Sequence, residues 1–236
     1  MDKNSINNMT SNQAKVRGQI ISGFKYDHSL YGEAFYSAEL RVSRLSDCTD
    51  TIPLLFSERI VDLSRSYQGR YVEINGQFRS YNQYENHKRH LILNLFVKEI
   101  REIDQIEDAR PNEIYLDGFI CKDPIYRVTP TGREITEILL AVNRSYYKSD
   151  YIPCILWGKN ARYARRIPVG GHVQLWGRIQ SRQYTKKTKK VDKNYTVYEV
   201  SAHDIFYCID HKELSLKGVA ESASYGHGTY SKKDCS

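Results

Sequence analysis

The stretch that decides the fold runs from Ile152 to Tyr184 and contains two apolar segments separated by a short basic one. The first, Ile152-Pro-Cys-Ile-Leu-Trp-Gly-Lys159, predicts a buried strand that ends at Trp157. The second, Val169-Gly-Gly-His-Val-Gln-Leu-Trp-Gly-Arg-Ile-Gln-Ser-Arg-Gln-Tyr184, predicts a glycine turn followed by a long strand. Between them we expect a short helix near Asn160 to Arg166.

Basic and aromatic residues are interleaved along the end of the second strand and beyond it. They are Arg178, Arg182, Tyr184, Lys186, Lys187, Lys189 and Lys190. Rings stack on bases and cations neutralise phosphates, so this pattern on a sheet indicates a surface for single-stranded nucleic acid. A lysine run is also common in a solvated loop, and this alternative stays open.

The positive charge of the chain is concentrated in its second half. The net charge is +7 over 236 residues. Residues 1–110 carry 15 Lys+Arg and 15 Asp+Glu, whereas residues 111–236 carry 20 and 13. The second half is therefore the better candidate for binding a polyanion, with a merely basic surface as the alternative.

The pattern of cysteines and histidines argues against a metal site or an enzyme. The five cysteines form no C-x-x-C pair, and the seven histidines show no metal-ligand spacing. No nucleophile–base pair or phosphate-binding glycine loop is found either, so we expect no cofactor and no catalytic residue. No apolar run has the length of a signal peptide or membrane span, which predicts a cytoplasmic protein without membrane contact.

The same order of predicted elements occurs twice in the chain. Three strands, a helix from Glu58 to Ser66 and two further strands fill the first 100 residues. Gly18 and Gly118 lie 100 residues apart in matching first strands, where glycine permits a bulge or a sharp coil. The pairs Ile52-Pro53 and Ile152-Pro153 have the same offset. A constant offset over several elements predicts two copies of one domain.

The order of strands predicts the fold class of each copy. Five strands with a helix between the third and the fourth is the order of an OB-fold, a small Greek-key barrel. We therefore predict an all-β protein with two tandem OB-folds. The expected segments are a flexible leader at 1–13, the first OB-fold at 14–100, a linker at 101–112, the second OB-fold at 113–210 and a flexible tail at 211–236.

The second copy resembles bacterial single-stranded DNA-binding proteins over about residues 112 to 206. The matching segments, in order, are Asn112–Pro124, Arg127–Gly132, Leu140–Arg144, Tyr151–Lys159 and Gly177–Tyr184. The resemblance implies binding of single-stranded DNA, without sequence preference, in replication, recombination or repair. It also implies an assembly of four barrels, which a chain with two barrels reaches as a homodimer.

The resemblance assigns roles to individual residues. Base stacking falls on Tyr146, Tyr151, Trp157 and Tyr184. Phosphate contacts fall on Arg144, Lys159, Arg178 and Arg182, together with Lys186, Lys187, Lys189 and Lys190. At the level of single residues, Trp157 could instead belong to the core, and Tyr146 and Tyr151 could be ordinary surface tyrosines.

The first copy keeps the strand order but lacks most of these rings. Thr51 stands at the position of Tyr151, so we expect weaker DNA binding from this copy. Tyr81 and Tyr84 remain on its fourth strand and hairpin, and Trp176 is expected to point outward from the second copy. These three are candidate interface residues, between the barrels or between chains.

Two other functions remain open. The first is an OB-fold adaptor or oligomerisation protein of a replication or mobile-element complex. The second is binding of single-stranded RNA, because stacking surfaces serve both nucleic acids. The chain ends Tyr230-Ser-Lys-Lys-Asp-Cys-Ser236 instead of with the acidic, Phe-ending tail that such proteins use for recruitment. The expected partners are single-stranded DNA and a second copy of the chain, and replication or recombination proteins stay open as further partners.

Overall fold

The computed structural model describes residues 11–44, 48–85, 88–104, 110–145, 147–186 and 193–208. The first repeat contains β1 (Asn12–Ile20), β2 (Lys25–Leu30), β3 (Glu33–Ser43), β4 (Thr49–Ser57), β5 (Tyr71–Glu85) and β6 (Lys88–Glu102). The second contains β7 (Asn112–Ile120), β8 (Ile125–Val128), β9 (Glu134–Arg144), β10 (Lys148–Trp157), α1 (Gly158–Ala164), β11 (His172–Lys186) and β12 (Lys193–Tyr207). Within these ranges no helix is long and apolar enough to cross a membrane.

Hydrogen bonds connect the described strands into a 12-stranded sheet that closes on itself twice. Its order is β2-β3-β4-β6-β5-β1-β7-β11-β12-β10-β9-β8. The pair β1–β3 closes the first barrel, and the pair β7–β9 closes the second. Two closed, largely antiparallel barrels in tandem confirm the predicted class, an all-β chain with two OB-folds.

The two barrels join edge to edge through β1 and β7. These strands are antiparallel, with Ala14 opposite Ile114 and Asn12 opposite Leu116. Since residues 100 apart face each other at the centre of the pair, an approximate twofold axis relates the barrels. The junction creates one continuous sheet, β6-β5-β1-β7-β11-β12, whose outer face spans both barrels.

Each barrel is filled by the inward side chains of its strands. Val173, Leu175 and Ile179 of β11 are 0% exposed, as their spacing predicts. Their equivalents on β5 include Ile74 and Phe78, which are also 0% exposed. The residues between them point outward and build the surfaces described below.

Gly18 and Gly118 let the first strand of each barrel pass close to a neighbouring backbone. A Cβ atom on Gly18 would lie 2.4 Å from the carbonyl oxygen of Arg41. A Cβ atom on Gly118 would lie 2.6 Å from the carbonyl oxygen of Ala141. Only glycine fits where β1 and β7 exchange one partner strand for another, which accounts for the pair seen in the sequence.

Each barrel contains one more strand than predicted. In the first barrel, β2 pairs with β3 in a hairpin that turns at Tyr31 and Gly32. All six residues of β2 are exposed, so its sequence shows no alternation between apolar and polar residues. In the second barrel, β8 forms the equivalent hairpin with β9.

The prediction of a helix from Glu58 to Ser66 is wrong, since this segment contains only a 3₁₀ turn, Glu58–Ile60. The predicted cap is present, because the hydroxyl of Ser57 accepts a hydrogen bond from a backbone N–H of this turn. After the turn, the Asp62 carboxylate accepts the backbone N–H of Ser64 at 3.0 Å. Such local bonds compete with helical ones and end the helix early. The helix predicted in the second barrel is confirmed as α1.

Candidate nucleic-acid interface

Two exposed rings lie on the same outward face of β10. Tyr151 is 42% exposed and Trp157 is 38% exposed. Ile152, Cys154 and Leu156, between them, are at most 2% exposed and face the core. Six residues of extended strand span about 20 Å, so the two rings offer separate stacking positions along one line.

Trp157 is a surface residue whose ring is held by the neighbouring strand. Its indole N–H donates to the Ser201 hydroxyl of β12 at 3.3 Å. The exposure of the ring argues against the alternative that Trp157 belongs to the core. A tethered, half-exposed indole is suited to stacking, because little side-chain entropy is lost when a base binds.

Arg182 lies on β11, which β12 separates from β10, and its partner Glu199 is two residues before the Ser201 that binds Trp157. The Arg182 Nε atom lies 3.6 Å from Glu199 Oε1, and the Arg182 side chain is 50% exposed. The Glu199 carboxylate also accepts a hydrogen bond of 2.7 Å from Gln180 Nε2. Lys159 is exposed at the start of α1, two residues after Trp157. Of the predicted arginine and lysine contacts, Lys159 and Arg182 therefore lie exposed on this surface.

Arg144 and Arg178 lie in ion pairs at the contact between the barrels. Arg144 Nε is 3.0 Å from Asp150 Oδ2, and Arg144 Nη2 donates to the Ser80 carbonyl oxygen of the first barrel at 3.3 Å. Arg178 Nη1 is 3.6 Å from Asp50 Oδ2 of the first barrel. Both arginines thus have structural partners, in addition to any phosphate contact.

Two buried aspartates repeat at this contact with twofold-related partners. Asp50 Oδ1 accepts the backbone N–H of Ser181 at 2.8 Å, and Asp150 Oδ1 accepts that of Ser80 at 2.6 Å. Neither carboxylate is more than 1% exposed. Each also pairs with an arginine six residues earlier in its own barrel. The sequence pattern did not predict this network, and its one local signal is the recurrence of Arg and Asp at the same offset in both repeats.

The contact also fixes the backbone at a predicted stacking residue. The N–H of Tyr151 donates to the hydroxyl of Ser80 at 2.7 Å. Burial raises the pKa of the adjacent Asp150 above its ordinary value, although the Ser80 N–H and the guanidinium groups of Arg144 and Arg79 oppose the rise. The first barrel therefore helps to build the face of the second.

Several predicted site residues fall outside the described part of the chain. They are Tyr146, Lys187, Lys189 and Lys190. For Tyr184 and Lys186 the structure describes the backbone, which pairs with β12, but not the side chain. Their predicted contacts with nucleic acid stay predictions.

Trp176 belongs to an aromatic patch on the outer face of the joined sheet. Its ring centroid lies 4.8 Å from that of Tyr115 and 5.6 Å from that of Phe206. Phe206 is 58% exposed. Further along the same face, Phe119 stacks on His172 at 4.8 Å. We call these five residues the outer aromatic patch.

The first barrel carries rings at positions that the alignment of the repeats does not show. Thr51 stands where the second barrel has Tyr151, as predicted, and Tyr81 and Tyr84 are 45% and 74% exposed on β5. Three further rings on this barrel were missed, and they are His28, Phe35 and Phe96. Phe35 and Phe96 lie on β3 and β6, the strands on either side of β4, and His28 lies beyond them on β2. An alignment of the two repeats therefore does not match any of them with Trp157.

These features define a tandem OB-fold protein whose second barrel presents exposed rings and cations on one face. The sequence model of the single-strand binding protein family matches residues 111–206. Single-stranded DNA-binding protein B of Bacillus subtilis is 39% identical over 80 residues, which cover 31% of this chain and 71% of that protein. Single-stranded DNA-binding protein 2 of Listeria monocytogenes is 29% identical over 127 residues, covering 51% and 77%. The chain belongs to the single-strand binding protein family.

The solved structures with a similar fold extend the likeness to the first barrel. The single-stranded DNA-binding protein of Thermus aquaticus superposes with a TM-score of 0.66 at 16% identity, over 84% of this chain and 93% of that chain. A deletion mutant of the same protein gives a TM-score of 0.61 at 17% identity, over 84% and 95%. A match over 84% of the chain is longer than either barrel, so it includes both.

Proposed function

We propose that this protein binds single-stranded DNA, without sequence preference, through the outward face of its second barrel. Bases stack on Tyr151 and Trp157, and phosphates lie beside Lys159 and Arg182. The observation that carries the proposal is the pair of exposed rings on β10, about 20 Å apart, on one face of an OB-fold. Membership of the family supports the same function. Binding is non-covalent and needs no catalytic group.

The rest of the proposed interface follows from the resemblance. It comprises Tyr146, Tyr184, Lys186, Lys187, Lys189 and Lys190, with Arg144 and Arg178 at the barrel contact. Such a surface would keep DNA single-stranded during replication, recombination or repair in the cytoplasm. Each stacked ring contributes about 1–3 kcal/mol per base with little base preference, which suits a protein that must bind any sequence.

The outer aromatic patch supports a further part of this proposal, a homodimer with four OB-folds. Exposed aromatic clusters on soluble proteins mark sites of association. A dimer through this patch leaves the faces that carry Tyr151 and Trp157 open to DNA. The adaptor function makes a different use of the patch, which would then bind a replication or recombination protein.

The first test is a fluorescence titration with oligo-dT, matched oligo-U and a duplex at several salt concentrations. The chain has two tryptophans, Trp157 and Trp176. We expect oligo-dT to quench the emission, and log K to fall with log[salt] by about 0.7 per neutralised phosphate. Comparison with oligo-U measures the preference between DNA and RNA.

The Trp157→Phe variant assigns the quenching to the proposed face. It should lose most of the quenching while a labelled oligo-dT still binds by anisotropy, because phenylalanine can also stack. Trp176→Phe is the matched control and should keep the quenching. Absence of oligo-dT binding at low salt would overturn the proposal and favour a protein-binding adaptor.

A further inference from the structure

The outward face of the first barrel carries a row of neighbouring rings that ends at a cation. The His28 ring lies parallel to Phe35, with centroids 4.9 Å apart and an angle of 8° between the planes. Phe35 lies 6.3 Å from Phe96, and the Arg79 guanidinium carbon lies 3.7 Å from the centroid of Phe96. We call these four residues the first-barrel ladder.

The ladder is separate from the core of the barrel. Phe56 and Phe78 fill the interior and are at most 2% exposed. Phe35 and Phe96 are half-buried on the outside, and His28 is exposed above Phe35. The His28 Nδ1 atom is 2.6 Å from Asp27 Oδ2, a contact that restrains the imidazole ring.

The ladder occupies the place on its barrel that Trp157 occupies on the second barrel. In β-sheet register, Phe35 lies opposite Ser57, as Ile135 lies opposite Trp157. Ser57 is the repeat equivalent of Trp157. In the first barrel the ring at this place is Phe35, which belongs to the neighbouring strand β3 instead of to β4. The surface at this place is therefore aromatic in both barrels.

The same exchange occurs on the last strand of each barrel. Leu95 pairs with Phe78 and with Leu54, just as Val200 pairs with Ile179 and with Cys154. The residue after each is Phe96 in the first barrel and Ser201 in the second. In the first barrel the serine, Ser57, lies on β4 and the ring, Phe96, on β6. In the second barrel the ring, Trp157, lies on β10 and the serine, Ser201, on β12.

The ladder approaches the face of the second barrel at Ser80. Arg79 precedes Ser80 on β5, and Tyr81 follows it with 45% of its side chain exposed. The Ser80 hydroxyl accepts the N–H of Tyr151 at 2.7 Å. The ladder's Arg79 is therefore one residue from the contact between the barrels.

We propose that the first-barrel ladder is a second site for single-stranded nucleic acid, which stacks bases on His28 and on the guanidinium plane of Arg79. This inference rests on the proposed function of the second barrel. Arginine planes and histidine rings both stack with bases. Residues 1–110 carry equal numbers of basic and acidic side chains. Binding at the ladder therefore depends more on stacking than on counterion release.

The test uses the full chain with the two described rings of the second-barrel face replaced, Tyr151→Ala and Trp157→Ala. A labelled oligo-dT of about 12 nucleotides is short enough for one OB-fold. We expect this variant to retain binding, with a shallower salt dependence than the unaltered protein. Adding His28→Ala and Arg79→Ala should then weaken binding by about tenfold or more.

Two further variants separate stacking from charge and folding. Arg70→Ala with Tyr71→Ala removes the cation that precedes β5 and the ring at its first residue, and should leave binding unchanged. Phe35→Ile with Phe96→Ser introduces the residues that the second barrel has at these positions, so the fold should tolerate it. It should weaken binding like the His28 and Arg79 pair. Circular dichroism and thermal melting confirm folding.

The outcomes distinguish this inference from the proposed function. If the unaltered protein binds oligo-dT but loses all binding with Tyr151→Ala and Trp157→Ala, the first barrel has no site. Equal effects of the ladder variants and the Arg70 and Tyr71 control would also overturn the inference, while the function of the second barrel stands. If the unaltered protein binds no oligo-dT, both fail.

Discussion

Glu73 and Gln174 occupy equivalent positions in the two barrels but have different surroundings. Glu73 is 6% exposed. Its carboxylate is 2.6 Å from Arg17, 3.3 Å from Lys15 and 3.2 Å from Arg101. Gln174 instead donates to a neighbouring aspartate at 3.1 Å. On the outer face of the joined sheet, the first barrel therefore carries a cluster of ion pairs around Glu73, whereas the second carries the outer aromatic patch.

This difference predicts a pH-dependent contribution of Glu73 to stability. Burial raises the pKa of Glu73, but the hydrogen bond from Arg17 and the pairing with Lys15 outweigh burial and hold the pKa below its ordinary value. Because the folded pKa is the lower one, the stabilisation is complete above the ordinary pKa and is lost as pH falls through the folded pKa. Glu73→Gln should lower the free energy of unfolding by about 1 kcal/mol at pH 7.

Urea denaturation of both proteins between pH 7 and about pH 3 measures this contribution. The difference in unfolding free energy should shrink as the pH falls. Glu113→Gln is the matched control, since its carboxylate is 53% exposed and 3.8 Å from Arg110. This exposed position should show a smaller difference at every pH. A difference for Glu73 that does not change with pH would contradict the role of the charge.

At the scale of elements, the sequence predicts the strands that have one buried side. β4, β5, β10 and β11 alternate between core and surface, so their positions follow from hydrophobic periodicity. β2 is exposed along its whole length, and such a strand gives no periodic signal. The prediction of a helix after Ser57 was wrong for a local reason. The side chain of Asp62 forms hydrogen bonds that compete with those of a helix.

The candidate site could likewise be predicted from the sequence only in part. The positions of Tyr151 and Trp157 could be predicted because they lie in a motif that resembles a known family. The ladder could not, because it forms only when β2, β3, β5 and β6 are placed in register. The buried aspartates were missed for the same reason, since Asp150 meets Ser80 across 70 residues of sequence. Contacts between distant strands depend on topology that a local pattern does not contain.

The contact of β10 with β5 leads to a prediction at the scale of elements. Asp150→Ala removes a fully buried carboxylate and leaves Arg144 without its charge partner. Such a change costs about 3–5 kcal/mol. The double variant with Arg144→Met should recover part of the loss, because the unpaired charge is gone. Urea denaturation of the two single variants and the double variant measures the coupling.

Asp123→Ala, in the exposed loop between β7 and β8, is the matched control for this cycle and should change the stability little. A second readout concerns the binding face. Because Ser80 also holds the backbone of Tyr151, Asp150→Ala should weaken oligo-dT binding even where the protein remains folded. Additive effects of Asp150→Ala and Arg144→Met would show that the two side chains are not coupled.

At the scale of the whole molecule, the twofold relation between the barrels is exact in strand order but not in surface chemistry. The proposed binding faces lie on the outside of each barrel, whereas β1 and β7 form the centre of the joined sheet. The positive charge and the outer aromatic patch both belong to the second repeat. The chain therefore resembles a twofold dimer of barrels in its strand order and in the contacts of Asp50 and Asp150, but not in the charge and rings of its surface.

The proposed homodimer through the outer aromatic patch predicts the molar mass of the protein in solution. The chain has a mass of 27.5 kDa, and we expect light scattering to give twice this value. In a twofold dimer the same patch serves both chains, so one substitution changes the interface twice. Phe206→Glu places two charges in that interface and should yield single chains. Phe206 is 58% exposed, which allows the substitution without loss of the fold.

Ile125→Glu is the matched control, because Ile125 is 60% exposed on β8, away from the joined sheet. This variant should keep the mass of the unaltered protein. Oligo-dT binding per chain should be similar in both variants, since neither residue lies on the proposed faces. A mass of one chain for the unaltered protein would contradict the homodimer. The patch would then be free for a different protein, as the adaptor function requires.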